Sequence, residues 1–319
     1  MSNTDVPLNI EDQILLMKSY VTFRQKTKIR RLLQKEGYFR VSRYGKQLLS
    51  FTNVLRSKPN QELLFAMYDF DLALREIFYR YTQKAEIQFK NYIANAVSLH
   101  LNDPTFYLDQ NSYTSSRGER NSVKKKKNQR FFKRVFQDIV QSEKKLRTSQ
   151  NKYPEFSIYR GRGPRSRKRI PSWAAFMYFD FGTIMHIYAY LKLDLRKKVL
   201  QYGYPDSKRN ISKIDTQNMD TWIDAIRNLR NICSHHNKLV GKTSSVVHLD
   251  RAFDSQALLP SDTDLFSRMY ALKKVLHPDD SEALKKEVKK LISKSKLNIY
   301  QFNILPQNWE TLYDSVHNF

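Results

Sequence analysis

The sequence predicts an all-α protein, on three observations. Gly and Pro are scarce, 8 and 10 among 319 residues, roughly half the usual share. Apolar residues recur at helical spacings of three and four through most of the chain. Strand-like alternation is weak, with Ser244–Leu249 its best candidate.

Residues 9–50 read as two or three helices. Leu15, Leu16, Tyr20 and Phe23 share one face, as do Ile29, Leu32 and Leu33, and Gly37 interrupts before Tyr38-Phe39-Arg40. Residues 60–100 form the strongest periodic block. It runs through Leu63, Leu64, Met67, Phe70, Leu74, Ile77 and Phe78, then through Ile87, Tyr92, Ile93, Ala96 and Val97 in a second helix or a kinked continuation. Asp103-Pro104 ends it. Phe131, Phe132, Val135, Phe136, Ile139 and Val140 predict a further helix. From Pro171 the run Trp173, Phe176, Met177, Phe179, Phe181, Ile184, Ile187 and Leu191 is nearly all-round apolar, which predicts a buried central helix bent at Gly182. Residues 216–234 form another helix, and 264–276, 281–295 and 307–316 supply three more, separated by Pro260, Pro278 and Pro306. Three parts follow: an N-terminal helical part (1–105), a basic helix-and-loop insertion (106–172) and a helical core (173–319).

Composition narrows the function. Lys and Arg number 56 against 31 Asp and Glu, a formal net charge of +25. Excess charge of this size opposes compaction, and nucleic acid or an anionic membrane is the usual compensation. The charge is concentrated. Residues 110–172 hold 19 Lys+Arg and 4 Asp+Glu, a net of +15, leaving +10 for the rest. Two basic runs stand out, Lys124-Lys125-Lys126-Lys127 and the stretch RGRGPRSRKR containing Arg160, Arg162, Arg165, Arg167, Lys168 and Arg169. The second reads as a flexible basic loop. Each run alone fits a solvated loop as well as a ligand; two in one segment favour a phosphate-contacting arm. With 40% hydrophobic residues the chain has enough apolar mass for a core. Cys233 is the one cysteine, which excludes an internal disulfide framework and a cysteine-built zinc site and fits a reducing cytoplasm. MSNTDVPLNIEDQ does not read as a signal peptide, and no apolar stretch is long enough to span a membrane. No cofactor or metal is expected.

The most informative local anomaly lies in Arg227–Lys238. Met219, Trp222, Ile223, Ile226, Leu229 and Cys233 form an apolar stripe, and Arg230 falls about 20° from Met219 at 100° per residue. A guanidinium there is costly unless it meets a carboxylate, a phosphate or a partner chain. His235 and His236 follow, and Arg-x(4–6)-His is a known ribonuclease signature. A pattern this short recurs by chance in an arginine-rich chain, so context decides. The bland reading has Arg230 snorkelling to a helix edge while the two histidines cap the C-terminus.

The context resembles a family. LRNICSHHNKLV (229–240) is similar to the signature of the Abi-like abortive-infection proteins (AbiD/AbiF type), which belong to the HEPN superfamily of helical ribonucleases. LLQKEGYFRVSRY (32–44), YDFDLALR (68–75) with the following Glu86, PSWAAFMYFDFG (171–182) and LPQNWETL (305–312) resemble further family blocks in order. Val240-Gly241 stands where the family often has Trp-Asn, and Lys238 where Arg is usual. The resemblance implies a HEPN-like bundle and metal-independent RNA cleavage in the cytoplasm as an antiphage, toxin-like activity. It makes Arg230 and His235 the catalytic pair, with Asn231 the accompanying polar residue and His236 a second candidate or a structural neighbour. On a straight helix Arg230 and His235 point about 140° apart. Either the helix breaks near Ser234 or the site is composite across a homodimer, as the family's typical pairing implies. Asp71 and Arg75 read as an intrahelical ion pair, and Glu86 as a residue that could hold Arg230. Arg40 and Arg43, interleaved with aromatics, are candidates for contact with unpaired bases. Two other functions stay open: a non-catalytic module holding a structured small RNA, and a protein- or membrane-surface role for the basic segment.

Overall fold

The computed structural model describes residues 7–149, 151–160, 169–243, 245–254, 259 and 261–319. Among them the fold is all-α. Three helices, α1 (Ile10–Met17), α2 (Lys26–Glu36) and α3 (Tyr38–Leu49), precede the short α4 (Thr52–Leu55) and the long α5 (Gln61–Leu101). Then come α6 (Ser122–Thr148), α7 (Ser172–Tyr178), α8 (Phe181–Tyr190), α9 (Leu193–Gly203), α10 (Lys213–Ser234), α11 (Leu265–Val275), α12 (Pro278–Lys294) and α13 (Trp309–Ser315). No strand forms among the described residues; only isolated bridges join Thr22 to Asn60 and Tyr113 to Leu191.

The organising element is α5. Its 41 residues run about 62 Å at 1.5 Å per residue. Asn60 caps its start by accepting the Leu63 amide (2.9 Å), and Asn102 closes it in a left-handed conformation, φ +49°. Residues 79–86 contain no Gly or Pro, so the two apolar blocks expected as separate or kinked segments join without a break. The helix packs against α3, α7, α8, α9, α10, α11 and α12. With neighbours on so many sides, polar residues that would otherwise reach water are enclosed, and Asp71, Arg75, Thr82 and Glu86 are all buried.

Three expectations change. The apolar run from Pro171 is two helices, and the break falls at Phe179-Asp180 instead of Gly182. Asp180 is the reason: its carboxylate accepts the Thr183 amide (2.9 Å) and hydroxyl (2.7 Å), so the chain restarts there with a capped N-terminus. Nor is the run enclosed on all sides, since Met177 is 75% exposed. Residues 245–249 form no strand, and Val247 instead donates its N–H to the Asp262 carbonyl (2.8 Å); Ser244 lies outside the described residues. The helix α9 has no counterpart in the sequence expectations. Elsewhere Gly37 separates α2 from α3 at φ +84°, and α11, α12 and α13 fall within two or three residues of the expected segments.

Candidate functional site

The motif segment is built on α10. Ser212 starts that helix with a reciprocal capping box, its hydroxyl taking the Asp215 amide (3.2 Å) while the Asp215 carboxylate takes the Ser212 amide (2.6 Å). Met219, Trp222, Ile223, Ile226, Leu229 and Cys233 are buried as the stripe requires. Burial pushes the Cys233 thiol up to about 12, so it is an inert core residue.

Arg230 comes off the edge of that stripe and turns to α5. Its Nε lies 3.5 Å from Glu86 Oε2, its Nη1 donates to Asn231 Oδ1 (3.3 Å), and its side chain stays one-third exposed. The cost of placing a cation beside the apolar face is thus met by a carboxylate and by partial hydration. Glu86 is shared: Lys90 Nζ lies 2.8 Å from its Oε1, and the same ammonium donates to the Phe179 carbonyl (2.7 Å). Among the described residues one of the five N–H donors of this guanidinium is hydrogen-bonded, and the buried Nε has no hydrogen-bond partner.

The helix ends at Ser234. His235 is the C-cap residue and His236 adopts φ +52°, a left-handed conformation in which histidine is enriched among non-glycine residues. The amide of His236 bonds the Cys233 carbonyl (3.1 Å) and that of Asn237 reaches back to Ile232 (3.0 Å). The helix end expected near Ser234 is present, and no contact joins Arg230 to His235 among the described residues. Both imidazoles are exposed and have no side-chain hydrogen bond among the described residues. His236 contributes its backbone to the turn.

What fixes the chain beyond this turn is Asp71 on α5. Its carboxylate is fully buried and accepts from the Leu239 amide (2.9 Å), the Val240 amide (2.6 Å), the Tyr44 hydroxyl (2.7 Å) and Arg75 Nε (2.9 Å). The ion pair expected within α5 exists, and it also clamps the segment that carries the histidines. Lys238 leans on the same corner, donating to Gln47 Oε1 of α3 (2.6 Å). Burial, with repulsion from Arg43, lowers its ammonium from the ordinary 10.5 to about 8.

A model of the family described as Abi-like protein matches residues 31–240. The chain belongs to the Abi-like family. No curated protein and no solved structure matches it. The Abi-like match starts in α2 and stops at Val240, where the Asp71 clamp ends, so the resembling block at 305–312 lies outside it. Gly241 sits at φ +75°, a conformation Asn also tolerates, so Gly in place of the usual family Asn keeps the turn.

The basic residues go to different places. Lys124–Lys127 are helical, in the first two turns of α6, where the dipole disfavours cations. Arg160 turns inward to the carbonyls of Arg147 and Tyr153, and Arg169 pairs with the buried Glu143 (3.3 Å). Arg162, Arg165, Arg167 and Lys168 lie outside the described residues. On α3, Arg40 pairs with Glu36 (3.2 Å) while Arg43 stands over the exposed Phe39 ring (5.4 Å). Among the described residues, no group of three or more His, Cys, Asp or Glu is placed to hold a metal ion, and no helix is long and apolar enough to cross a membrane.

Two outcomes follow for Abi-like residues at this corner. Asp71→Ala orphans the buried Arg75 and frees two loop amides, and is expected to cost about 3–5 kcal/mol in urea unfolding. For Lys238, the unfolded chain binds the proton more tightly between pH 8 and 10.5, so its contribution to stability rises with pH across that window. Lys238→Met therefore gains stability over wild type at pH 7, and the gain shrinks toward pH 10.5, read as the difference between parallel urea titrations.

Proposed function

We propose that this chain is a HEPN-type endoribonuclease of an abortive-infection system, acting on RNA in the cytoplasm. The observation that carries the reading is the end of α10, where the one-third-exposed Arg230 precedes the exposed His235 on a turn pinned by Asp71. In this reading the ribose 2′-oxygen attacks the adjacent phosphorus as its proton passes to a histidine. The P–O5′ bond breaks, and a protonated imidazole supplies the proton to the leaving oxygen. An unperturbed imidazole, with a pKa near 6.5, suits both transfers. Arg230 stabilises the charge that builds on the phosphorane, and Asn231 and Glu86 aim its guanidinium. The products are a 2′,3′-cyclic phosphate and a 5′-hydroxyl. A homodimer brings a second histidine to the cleft, so one acts as base and the other as acid. Residues 1–105 and 173–319 frame the site, and the insertion at 106–172 captures RNA.

A second reading, an RNA-holding module without cleavage, is favoured by one feature. Lys126, Lys127, Arg130 and Arg134 on α6 have no carboxylate partner among the described residues, more uncompensated charge than cleaving a short RNA demands. Cleavage of labelled RNA separates the two. Arg230→Ala and His235→Ala are each expected to lower it at least a hundredfold without a shift in thermal midpoint beyond a few degrees, because Glu86 keeps Lys90 as a partner when Arg230 is removed. His236→Gly, which suits the left-handed backbone, retains cleavage, and excess EDTA leaves it intact. Light scattering is expected to give a dimer, and a dilute monomer that still cleaves RNA would contradict the composite site.

A further inference from the structure

Away from the Arg230 corner, α6, α8 and α10 enclose a cleft of about 830 Å³, within the roughly 300–1,000 Å³ typical of ligand pockets. Its wall is one stripe of α6, in which Lys126, Lys127, Arg130, Phe131 and Arg134 recur at helical spacing. Phe131 is 39% exposed and meets the half-buried His186 of α8 edge to face, with 5.2 Å between ring centres. Arg134 stands 6.0 Å from the same phenyl ring. Burial, with the nearby Arg227 and Arg117 charges, holds His186 below the ordinary histidine value.

The two carboxylates in the cleft are already neutralised. Asp220 lies between Arg117 (2.9 Å) and Arg196 (2.7 Å), and Asp224 pairs with Arg227 (2.7 Å). The four α6 cations are not, and their mutual repulsion in the cleft is relieved by an anionic occupant. The opposite wall leads to the motif. Asp220 and Asn231 of α10 and the C-cap His235 fall within about 40° of Asp224 at 100° per residue, and Arg227 about 60° from it, a partly exposed stripe that ends on the exposed histidine.

We propose that this cleft captures an unpaired stretch of RNA, with phosphates on Lys126, Lys127, Arg130 and Arg134 and a base stacked on Phe131, and leads the strand along α10 to His235. The inference rests on the ribonuclease reading above. Ring and cations together select the occupant: phosphates need only the cations, whereas the Phe131 face is usable only by a base that is not already stacked inside a duplex. From Asp224 to His235 the chain rises about 17 Å along α10, which places capture and cleavage within reach of one short strand.

Anisotropy with a fluorescein-labelled, unstructured 12-nucleotide 2′-O-methyl RNA, which the enzyme cannot cleave, tests the cleft on the full chain. Phe131→Ala is expected to weaken binding about tenfold with an unchanged salt slope, and Phe131→Tyr to restore it. Arg130→Ala with Arg134→Ala is expected to reduce the slope of log K against log salt by about 1.4, two phosphates at roughly 0.7 each. A blunt RNA duplex of equal length binds more weakly than the single strand. If wild type binds and cleaves RNA while the Phe131 and Arg130/Arg134 variants bind as wild type does, or if the duplex binds better, the cleft assignment is overturned and the ribonuclease reading stands. Wild type that binds no RNA overturns both.

Discussion

One buried carboxylate, that of Asp71, decides where the end of α10 goes. An ionised group in the interior is tolerated only when its acceptor positions are filled, and Asp71 fills them with a guanidinium, a tyrosine hydroxyl and two backbone amides from the far side of the motif turn. The turn that carries His235 is therefore tied to the 41-residue α5, although among the described residues its exposed histidines make no side-chain bonds of their own. A loop held by backbone groups leaves its side chains free, which is the condition for chemistry at the surface of a rigid scaffold.

The same long helix supplies the counter-charge for Arg230. Glu86 lies fifteen residues along α5 from Asp71, about four turns, so one element both anchors the turn and aims the guanidinium. Sharing Glu86 between Arg230 and Lys90 keeps the carboxylate paired while leaving arginine donors open. A fully satisfied Arg230 would be a structural ion pair; an unpaired one beside Cys233 and Ile226 would be too costly to bury. The observed arrangement lies between these limits, and the pair is neither deep enough to be inert nor exposed enough to be worthless.

Charge elsewhere obeys a different logic. Basic residues that sequence groups together are dispersed by folding: Arg160 becomes a clip for carbonyls at the end of α6, Arg169 neutralises Glu143, and Lys126 and Lys127 face a cleft with Arg130 and Arg134. A run of like charge is thus not one functional unit. Helical geometry turns it into opposing faces, and the enclosed carboxylates choose which cations are consumed. The aromatic partner for the remaining ones, Phe131, looked in sequence like one more residue of an apolar stripe.

The sequence by itself determined the all-α class and most of the helices, α9 and the α7–α8 split excepted, because 3.6-residue periodicity and the scarcity of Gly and Pro are local properties that need no tertiary partner. It also determined the family, through ordered blocks that include Asp71, Glu86 and Arg230. The split between α7 and α8 at Asp180 was not foreseen, because the continuous apolar pattern across it pointed to one helix. The pairs Asp71–Arg75 and Glu86–Arg230 were legible as expectations, but only the tertiary structure decided that Asp71 also holds the Leu239 and Val240 amides and that Glu86 is shared with Lys90. Asp71 and Leu239 are separated by 168 residues, and no period in a sequence encodes a contact at that range. The +25 charge is a property of the chain; the cleft that gives part of it a shape belongs to the packing of α6, α8 and α10.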